Sequence, residues 1–152
     1  MIAPFLEGAA FLRDIAEHRD AARLWWLGQS GFMIRWQNRT LLLDPYLSDS
    51  LTRKYAGTDK PHVRMTQQVV SPAALDFIDG VVSTHNHTDH LDGDTLQTLR
   101  SVNKDLALII PEANRAFVAN RLRCDPGWPI GLDDGMHVTL SLIHISEPTR
   151  PY

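Results

Sequence analysis

The sequence predicts an α/β fold, in which helices pack against a β-sheet. Short runs of apolar and β-branched residues, bounded by turn-forming residues, indicate three consecutive strands in the first third of the chain. Further along, short apolar runs alternate with segments whose apolar residues recur every three or four positions. That alternation indicates a sheet packed under helices. The predicted strands are 24–27, 32–36, 40–43, 81–84 and 106–110, and the predicted helices of the later part are 93–102 and 112–123.

The composition is that of one folded domain and argues against several functions. The 152 residues are 43% hydrophobic and 22% charged, which suffices for a single core. The net charge of −3 lacks the basic surplus that general binding to nucleic acids or anionic membranes requires, so the expected partner is a small-molecule substrate. Neither an 18-residue apolar run nor a signal peptide is recognisable, so no membrane span is predicted and the cytoplasm is the expected location. The oligomeric state stays open.

The first half of the chain is predicted to contain one helix, three strands and a long loop. An amphipathic helix is expected within residues 4–23, where apolar residues recur at three- and four-residue steps. The third strand ends at Asp44-Pro45, because proline cannot continue the hydrogen-bonded ladder. Residues 46–70 have little periodicity and are predicted to form an irregular loop. Its basic residues are candidates to bind a phosphate or carboxylate, but a solvated loop fits equally well, so no substrate-binding residue is predicted.

The second half begins with a short predicted helix at 71–77, which Ser71 caps and Pro72 opens. Asp92 has two interpretations, as a metal ligand or as the N-cap of the helix 93–102, and the capping role is preferred.

A dense cluster of metal-binding residue types follows the strand 81–84. It reads His85-Asn86-His87-Thr88-Asp89-His90. In an extended chain His85, His87 and Asp89 would face one side while His90 turns away. One ion cannot easily take all four side chains, so two adjacent divalent ions are expected, the first on His85 and His87 and the second on Asp89 and His90. Zinc, manganese and iron all suit these ligands. The alternative is a polar surface loop with clustered histidines.

Three segments together resemble the metallo-β-lactamase superfamily, in particular the branch that contains L-ascorbate 6-phosphate lactonase and many other hydrolases. They are WWLGQSGF at 25–32, LLLDPYLSDS at 41–50 and THNHTDHLD at 84–92. The resemblance implies an αββα sandwich of two sheets between helical layers, of which this chain supplies the N-terminal half. It also implies that Asp44 supports the metal ligands from behind, although a turn-forming aspartate before proline is the simpler alternative. The remaining ligands, typically a third histidine, a bridging carboxylate and a last histidine, are expected later in the chain. By the same resemblance, the segment GMHVT at 135–139 lies shortly before the third histidine, which places His137 at the start of a strand and not at a ligand position.

The last residues are interpreted as foreign to the domain. The segment LSLIHISEPTR at 140–150 resembles the in-frame translation of an adapter used to prepare DNA sequencing libraries. We therefore expect residues 1–139 to be the N-terminal part of the metallo-β-lactamase-like domain and 140–152 to be a non-native tail. The alternative is a genuine strand at 140–145 with a polar tail.

The expected function is that of a metal-dependent hydrolase. A hydroxide bridging the two ions would attack the substrate, and Asp89 would also orient this nucleophile and so act as a catalytic residue. By resemblance, the expected substrate is a small anionic lactone or ester. One alternative is a phosphodiesterase of the phospholipase-D-like kind, and another is that the chain as written is an inactive truncated fragment.

Overall fold

The computed structural model describes residues 1–18 and 21–140, and within them it contains one six-stranded sheet and four α-helices. This mixed architecture confirms the predicted α/β class. The strands are β1 (Arg23–Gly28), β2 (Gly31–Trp36), β3 (Arg39–Leu43), β4 (Gly80–Val82), β5 (Ala107–Pro111) and β6 (Ile130–Leu132). The helices are α1 (Gly8–Glu17), α2 (Ser50–Tyr55), α3 (Gly93–Val102) and α4 (Arg115–Leu122).

The strands lie in the sheet in the order in which they occur along the chain. The strands β1, β2 and β3 are antiparallel and joined by short turns, whereas β3, β4, β5 and β6 run parallel to one another. Each parallel connection has to return to the start of the next strand, and α3 and α4 provide two of these crossovers. The carboxyl ends of β3 and β4 therefore lie side by side at one edge of the sheet, where loops commonly carry function.

One face of the sheet forms the core with the helices. Met33, Leu42, Val81 and Leu108 occupy successive register positions across β2 to β5 and are fully buried. They belong to one apolar cluster with the inward faces of the helices. The helix residues in this cluster are Phe11 and Ile15 of α1, Leu96 and Leu99 of α3, and Val118 and Leu122 of α4. Burial of each such side chain contributes about 2 kcal/mol to the free energy of unfolding, so this layer anchors the scaffold of the site.

The opposite face of the sheet carries large apolar side chains that reach solvent. Trp26 pairs with Phe32 across β1 and β2, and these side chains are 52% and 36% exposed. Leu24 and Trp36 on the same two strands are 63% and 54% exposed. In the αββα arrangement expected from the sequence, this is the face against which the second sheet would pack.

Most predicted elements are confirmed, but three details of the part before β4 are wrong. The first helix spans Gly8–Glu17 and is shorter than the segment 4–23. The supposedly irregular segment 46–70 contains the helix α2. The predicted helix 71–77 is a 3₁₀ turn at Pro72–Ala74, although Ser71 does cap it by accepting a hydrogen bond from the Ala73 N–H.

The end of the described chain also differs from expectation. The strand β6 at Ile130–Leu132 was not predicted, and His137 lies in a segment without regular secondary structure. The predicted non-native tail 140–152 lies outside the described residues except for Leu140. No helix in the described part of the chain has the length and apolarity needed to cross a membrane.

Candidate metal centre

The candidate site lies where the parallel strands β3 and β4 end. Asp44 directly follows β3, and the segment from Ser83 to Leu91 follows β4 and leads into α3. The two segments come together because Leu42 and Val81 pair in parallel register and the Asp44 N–H donates to the Val82 carbonyl. The sheet therefore brings together two sequence motifs that lie about forty residues apart.

The segment from His85 to Leu91, called the histidine loop below, is folded into a turn. The backbone N–H groups of His90 and Leu91 both donate to the His87 carbonyl, at 3.1 and 2.8 Å. The expectation that this segment is extended and that His90 turns away from the others is therefore wrong. The turn brings the His90 ring to 3.9 Å from that of His85, centroid to centroid, and the rings of His85 and His87 are 4.6 Å apart.

Asp89 and Asp44 place carboxylates on two sides of His90. The Asp89 Oδ2 lies 3.5 Å from His90 Nε2, and its side chain is partly exposed. The Asp44 Oδ2 lies 2.9 Å from His90 Nδ1. Although this distance is short, the contact does not meet hydrogen-bond geometry, and Nδ1 has no hydrogen-bond partner among residues 1–18 and 21–140. His90 thus has a buried nitrogen whose hydrogen-bonding capacity the described protein atoms do not use.

Asp44 also holds the start of the loop. Its carboxylate accepts one hydrogen bond from the Thr84 N–H and another from the Thr84 hydroxyl, both at 2.7 Å. The Thr84 hydroxyl in turn lies 3.1 Å from His85 Nδ1. Asp44 has a φ of +44°, a left-handed conformation that aspartate and asparagine tolerate better than most residues. The Asp44 carboxylate therefore contacts both the loop backbone and a candidate ligand.

Two groups outside the histidine loop bind its backbone, and sequence reasoning identified neither. Ser30, in the turn between β1 and β2, donates its hydroxyl proton to the Asp89 carbonyl at 2.6 Å and lies 3.3 Å from the Asp44 carbonyl. Arg121, near the end of α4, donates from Nη1 to the carbonyls of Asn86 and Leu91. Ser30 lies within one of the segments that carry the family resemblance, whereas nothing in the sequence distinguishes Arg121 from other helix-surface arginines.

Asp92 is engaged in capping, as expected. It is completely buried and accepts hydrogen bonds from the Thr95 N–H, the Thr95 hydroxyl and the Ser50 hydroxyl. Its carboxylate therefore begins α3 and ties that helix to α2. Because these donors use its oxygens, Asp92 is not placed among the candidate ligands.

The arginines of segment 46–70 are also occupied. Arg53 forms an ion pair with Asp94. Arg64 is buried and donates to the carbonyls of Tyr46, Ser48 and Thr66. Both arginines thus have structural contacts, and substrate-binding residues stay unassigned.

Whether the loop suits metal ions can be judged from its donors. Three imidazoles and two carboxylates within one small region are the donor types that zinc, manganese and iron prefer. Within residues 1–18 and 21–140, however, no three His, Cys, Asp or Glu side chains converge closely enough to hold one ion by themselves. The donors therefore suit divalent ions in their chemistry, and a complete coordination sphere would need further ligands.

Comparison with known proteins agrees with the geometry. A family model described as "Beta-lactamase superfamily domain" matches residues 23–139. Curated relatives named probable L-ascorbate-6-phosphate lactonase, from Escherichia coli O139:H28 and Shigella boydii, are 27% identical over 112 residues, which is 60% of this chain and 32% of each relative. The match thus spans about a third of the length of these relatives.

Two solved structures are similar in fold. An isothiocyanate hydrolase from Delia radicum gut bacteria has a TM-score of 0.54 and 25% identity, with 77% of this chain and 44% of that chain covered. A diiron β-hydroxylase from Streptomyces venezuelae has a TM-score of 0.51 and 24% identity, with 79% of this chain and 22% of that chain covered. The second likeness concerns the fold alone.

Proposed function

Since this chain belongs to the β-lactamase superfamily domain family, we propose that it carries the first metal ligands of a metal-dependent hydrolase. The observation that carries the proposal is the histidine loop at the carboxyl ends of β3 and β4. There, the rings of His85 and His90 lie 3.9 Å apart beside two aspartates. A polar surface loop has no need of this arrangement, whereas a site for two adjacent cations does.

The proposed ligands divide into two pairs. His85 and His87 hold the first ion, and Asp89 and His90 hold the second. His90 Nε2, which faces Asp89 Oδ2 at 3.5 Å, and the partly exposed carboxylate of Asp89 are the atoms available for the second ion. Zinc or manganese is the favoured metal, and iron suits the same donors. Asp44 supports the site by holding Thr84 and by facing His90, as partners behind metal ligands commonly do.

The chain's own residues then have defined tasks in hydrolysis. If these side chains hold two divalent ions, the ions would supply an activated water as nucleophile near neutral pH and would stabilise negative charge that develops on the substrate. Asp89 uses one carboxylate oxygen as a ligand and the other to accept a proton from the attacking water and fix its direction. The imidazoles must be neutral to act as ligands, so acidic pH is expected to reduce metal binding.

The favoured substrate is a small anionic lactone or ester. Support comes from the lactonase relatives at 27% identity, and the isothiocyanate hydrolase at 25% identity likewise is named for a substrate whose reacting atom is an electrophilic carbon. The alternative is a phosphodiester, as in phospholipase-D-like proteins. We also propose that residues 1–139 are the N-terminal part of a larger domain, because the match covers only 32% of each relative. A cytoplasmic location remains part of this proposal.

The test compares metal content and activity in the full-length protein that contains this region. Metal stoichiometry should be two ions per chain, and a screen of lactones, esters and phosphodiesters should identify the substrate class. The variant His137→Ala is a matched control for the replacement of a proposed histidine ligand, because His137 is exposed and is not proposed as a ligand. A wild-type protein that binds no divalent metal would overturn the proposal, and a preference for phosphodiesters would transfer it to the alternative substrate class.

A further inference from the structure

Arg121 joins the two ends of the histidine loop. Its Nη1 lies 2.9 Å from the Asn86 carbonyl and 3.1 Å from the Leu91 carbonyl, which are five residues apart. A rigid guanidinium that donates to both carbonyls keeps the intervening chain in a closed turn. The Phe117 ring, one turn earlier on α4, lies 4.5 Å from the guanidinium carbon and restricts its position. Burial lowers the pKa of the Arg121 guanidinium, and the Asp92 carboxylate acts in the opposite direction.

Ser30 binds the same loop at a third carbonyl, that of Asp89. Its hydroxyl has one proton, which goes to the nearer acceptor, the Asp89 carbonyl at 2.6 Å. The turn that carries Ser30 is itself held, because the neighbouring Gln29 accepts hydrogen bonds from the backbone N–H groups of Met65 and Thr66 through its side-chain oxygen. Of the three bound carbonyls, one belongs to a proposed ligand, Asp89. The other two, of Asn86 and Leu91, belong to residues next to proposed ligands.

We propose that Arg121 and Ser30 are positioning residues that hold the histidine loop in its ligand-presenting turn before any metal binds. The expected consequence, tighter metal binding, rests on the proposed function. The closed conformation of the histidine loop does not depend on metal and can be tested in the metal-free protein. The physical reason is entropic, because a loop that is already ordered loses less conformational freedom when its side chains bind an ion.

An effect of charge alone predicts the opposite result for Arg121. A cation close to two divalent ions repels them, so removal of the positive charge would strengthen metal binding. Loss of the brace would weaken it. Arg121→Lys keeps the charge but not the rigid planar group whose Nη1 donates to both carbonyls, whereas Arg121→Met removes both at similar length. If Arg121 acts as a brace, both variants weaken metal binding, and Met weakens it more.

Matched control variants separate positioning from general stability. Arg115 also donates from Nη1 to two carbonyls, those of Pro126 and Pro129, so Arg115→Met removes a comparable brace from a different loop. Ser101 donates its hydroxyl to the Thr98 carbonyl at 2.7 Å within α3, so Ser101→Ala is the control for Ser30→Ala.

The first measurement is hydrogen exchange of the metal-free full-length protein. Arg121→Met and Ser30→Ala should each speed exchange of the backbone N–H groups of His90 and Leu91 about tenfold, because their bonds to the His87 carbonyl depend on the closed turn. Arg115→Met and Ser101→Ala should leave these amides unchanged. Equal exchange in all variants and the wild type would overturn the positioning role, whether or not the protein binds metal.

The second measurement is metal affinity, by competition between the protein and a chromophoric chelator for Zn²⁺. Arg121→Met and Ser30→Ala should weaken binding about 10- to 100-fold, the range typical for groups that orient ligands, while both controls bind as the wild type does. Tighter binding by Arg121→Met would favour repulsion and overturn the brace. Failure of the wild type itself to bind Zn²⁺ would count against the proposed function, and the exchange experiment would still decide whether the loop is braced.

Discussion

Replacement of Asp44 tests whether this carboxylate orients the proposed metal ligands without binding the metal itself. The Asp44 carboxylate is nearly buried, accepts two hydrogen bonds from Thr84 at 2.7 Å, and faces His90 Nδ1 at 2.9 Å. Asp44→Asn removes the charge but retains one acceptor oxygen and a residue that tolerates the positive φ. Asp44→Ala removes both acceptors and places a less suitable residue in the left-handed conformation.

The expected size of each effect follows from these contacts. In Asp44→Asn the Thr84 N–H keeps a neutral acceptor and loses about 1 kcal/mol of charge assistance, while the Thr84 hydroxyl loses its acceptor oxygen at a cost of about 1 kcal/mol. The free energy of unfolding should therefore fall by about 2 kcal/mol. In Asp44→Ala the Thr84 N–H also loses its acceptor, and the backbone strain adds about 1 kcal/mol, for a total of about 4 kcal/mol. Metal affinity should fall about 10- to 100-fold in Asp44→Asn, because His90 and the loop start lose a fixed neighbour.

Asp79→Asn is the control for this experiment. Asp79 accepts hydrogen bonds from the Thr40 N–H and from Arg39, but it lies at the other end of β4, away from the histidine loop. Urea unfolding of the metal-free proteins measures stability, and chelator competition measures affinity. Asp79→Asn should lose stability without losing affinity. If Asp44→Asn binds metal as tightly as the wild type, Asp44 only shapes the turn before proline.

Three further predictions concern single positions. In the full-length protein, His87→Ala and Asp89→Asn should each lower turnover by several orders of magnitude and deplete metal from one site. Normal turnover with two bound ions in either variant would refute the ligand assignment. Gly28→Ala should lower the melting temperature, because Gly28 has a φ of +87° and a Cβ there would lie 2.3 Å from the Thr66 hydroxyl oxygen. An unchanged melting temperature would mean that Thr66 moves aside at no cost. Burial raises the pKa of the Tyr46 phenol, so the free energy of unfolding should fall as the pH rises from the unfolded pKa of about 10 towards the higher folded pKa. This fall should be smaller in Tyr46→Phe. Identical alkaline unfolding of the two proteins would contradict the prediction.

The sequence alone was sufficient for the elements whose signals are local. Three early strands, the Asp92 cap and the helix Gly93–Val102 were predicted with their bounds nearly correct, because periodicity, turn residues and capping chemistry act within a few residues. The family resemblance was equally local, since the glycine-rich turn, the Asp44 segment and the histidine cluster are each contiguous. The prediction that metal-ligand types follow a strand thus needed no tertiary information.

The shape of the histidine loop required the tertiary structure. An isolated segment with the pattern His-x-His-x-Asp-His can be extended or turned, and the alternation of its residue types favours the extended form. The observed turn is accompanied by contacts from Ser30, Asp44 and Arg121, which lie on three different elements far away in sequence. Because no local signal reports such contacts, the position of His90 beside His85 could not be read from the pattern.

The same reason explains why the sequence points to Asp44 and not to Arg121. Asp44 stands at a strand end within a segment that carries the family resemblance, whereas Arg121 is one of several arginines on a helix with polar neighbours. Its role arises only because α4 packs so that its last turn reaches the loop after β4. Residue chemistry therefore predicted which side chains can bind metal, and the parallel pairing of β3 with β4 and the packing of α4 decided which groups hold them in place.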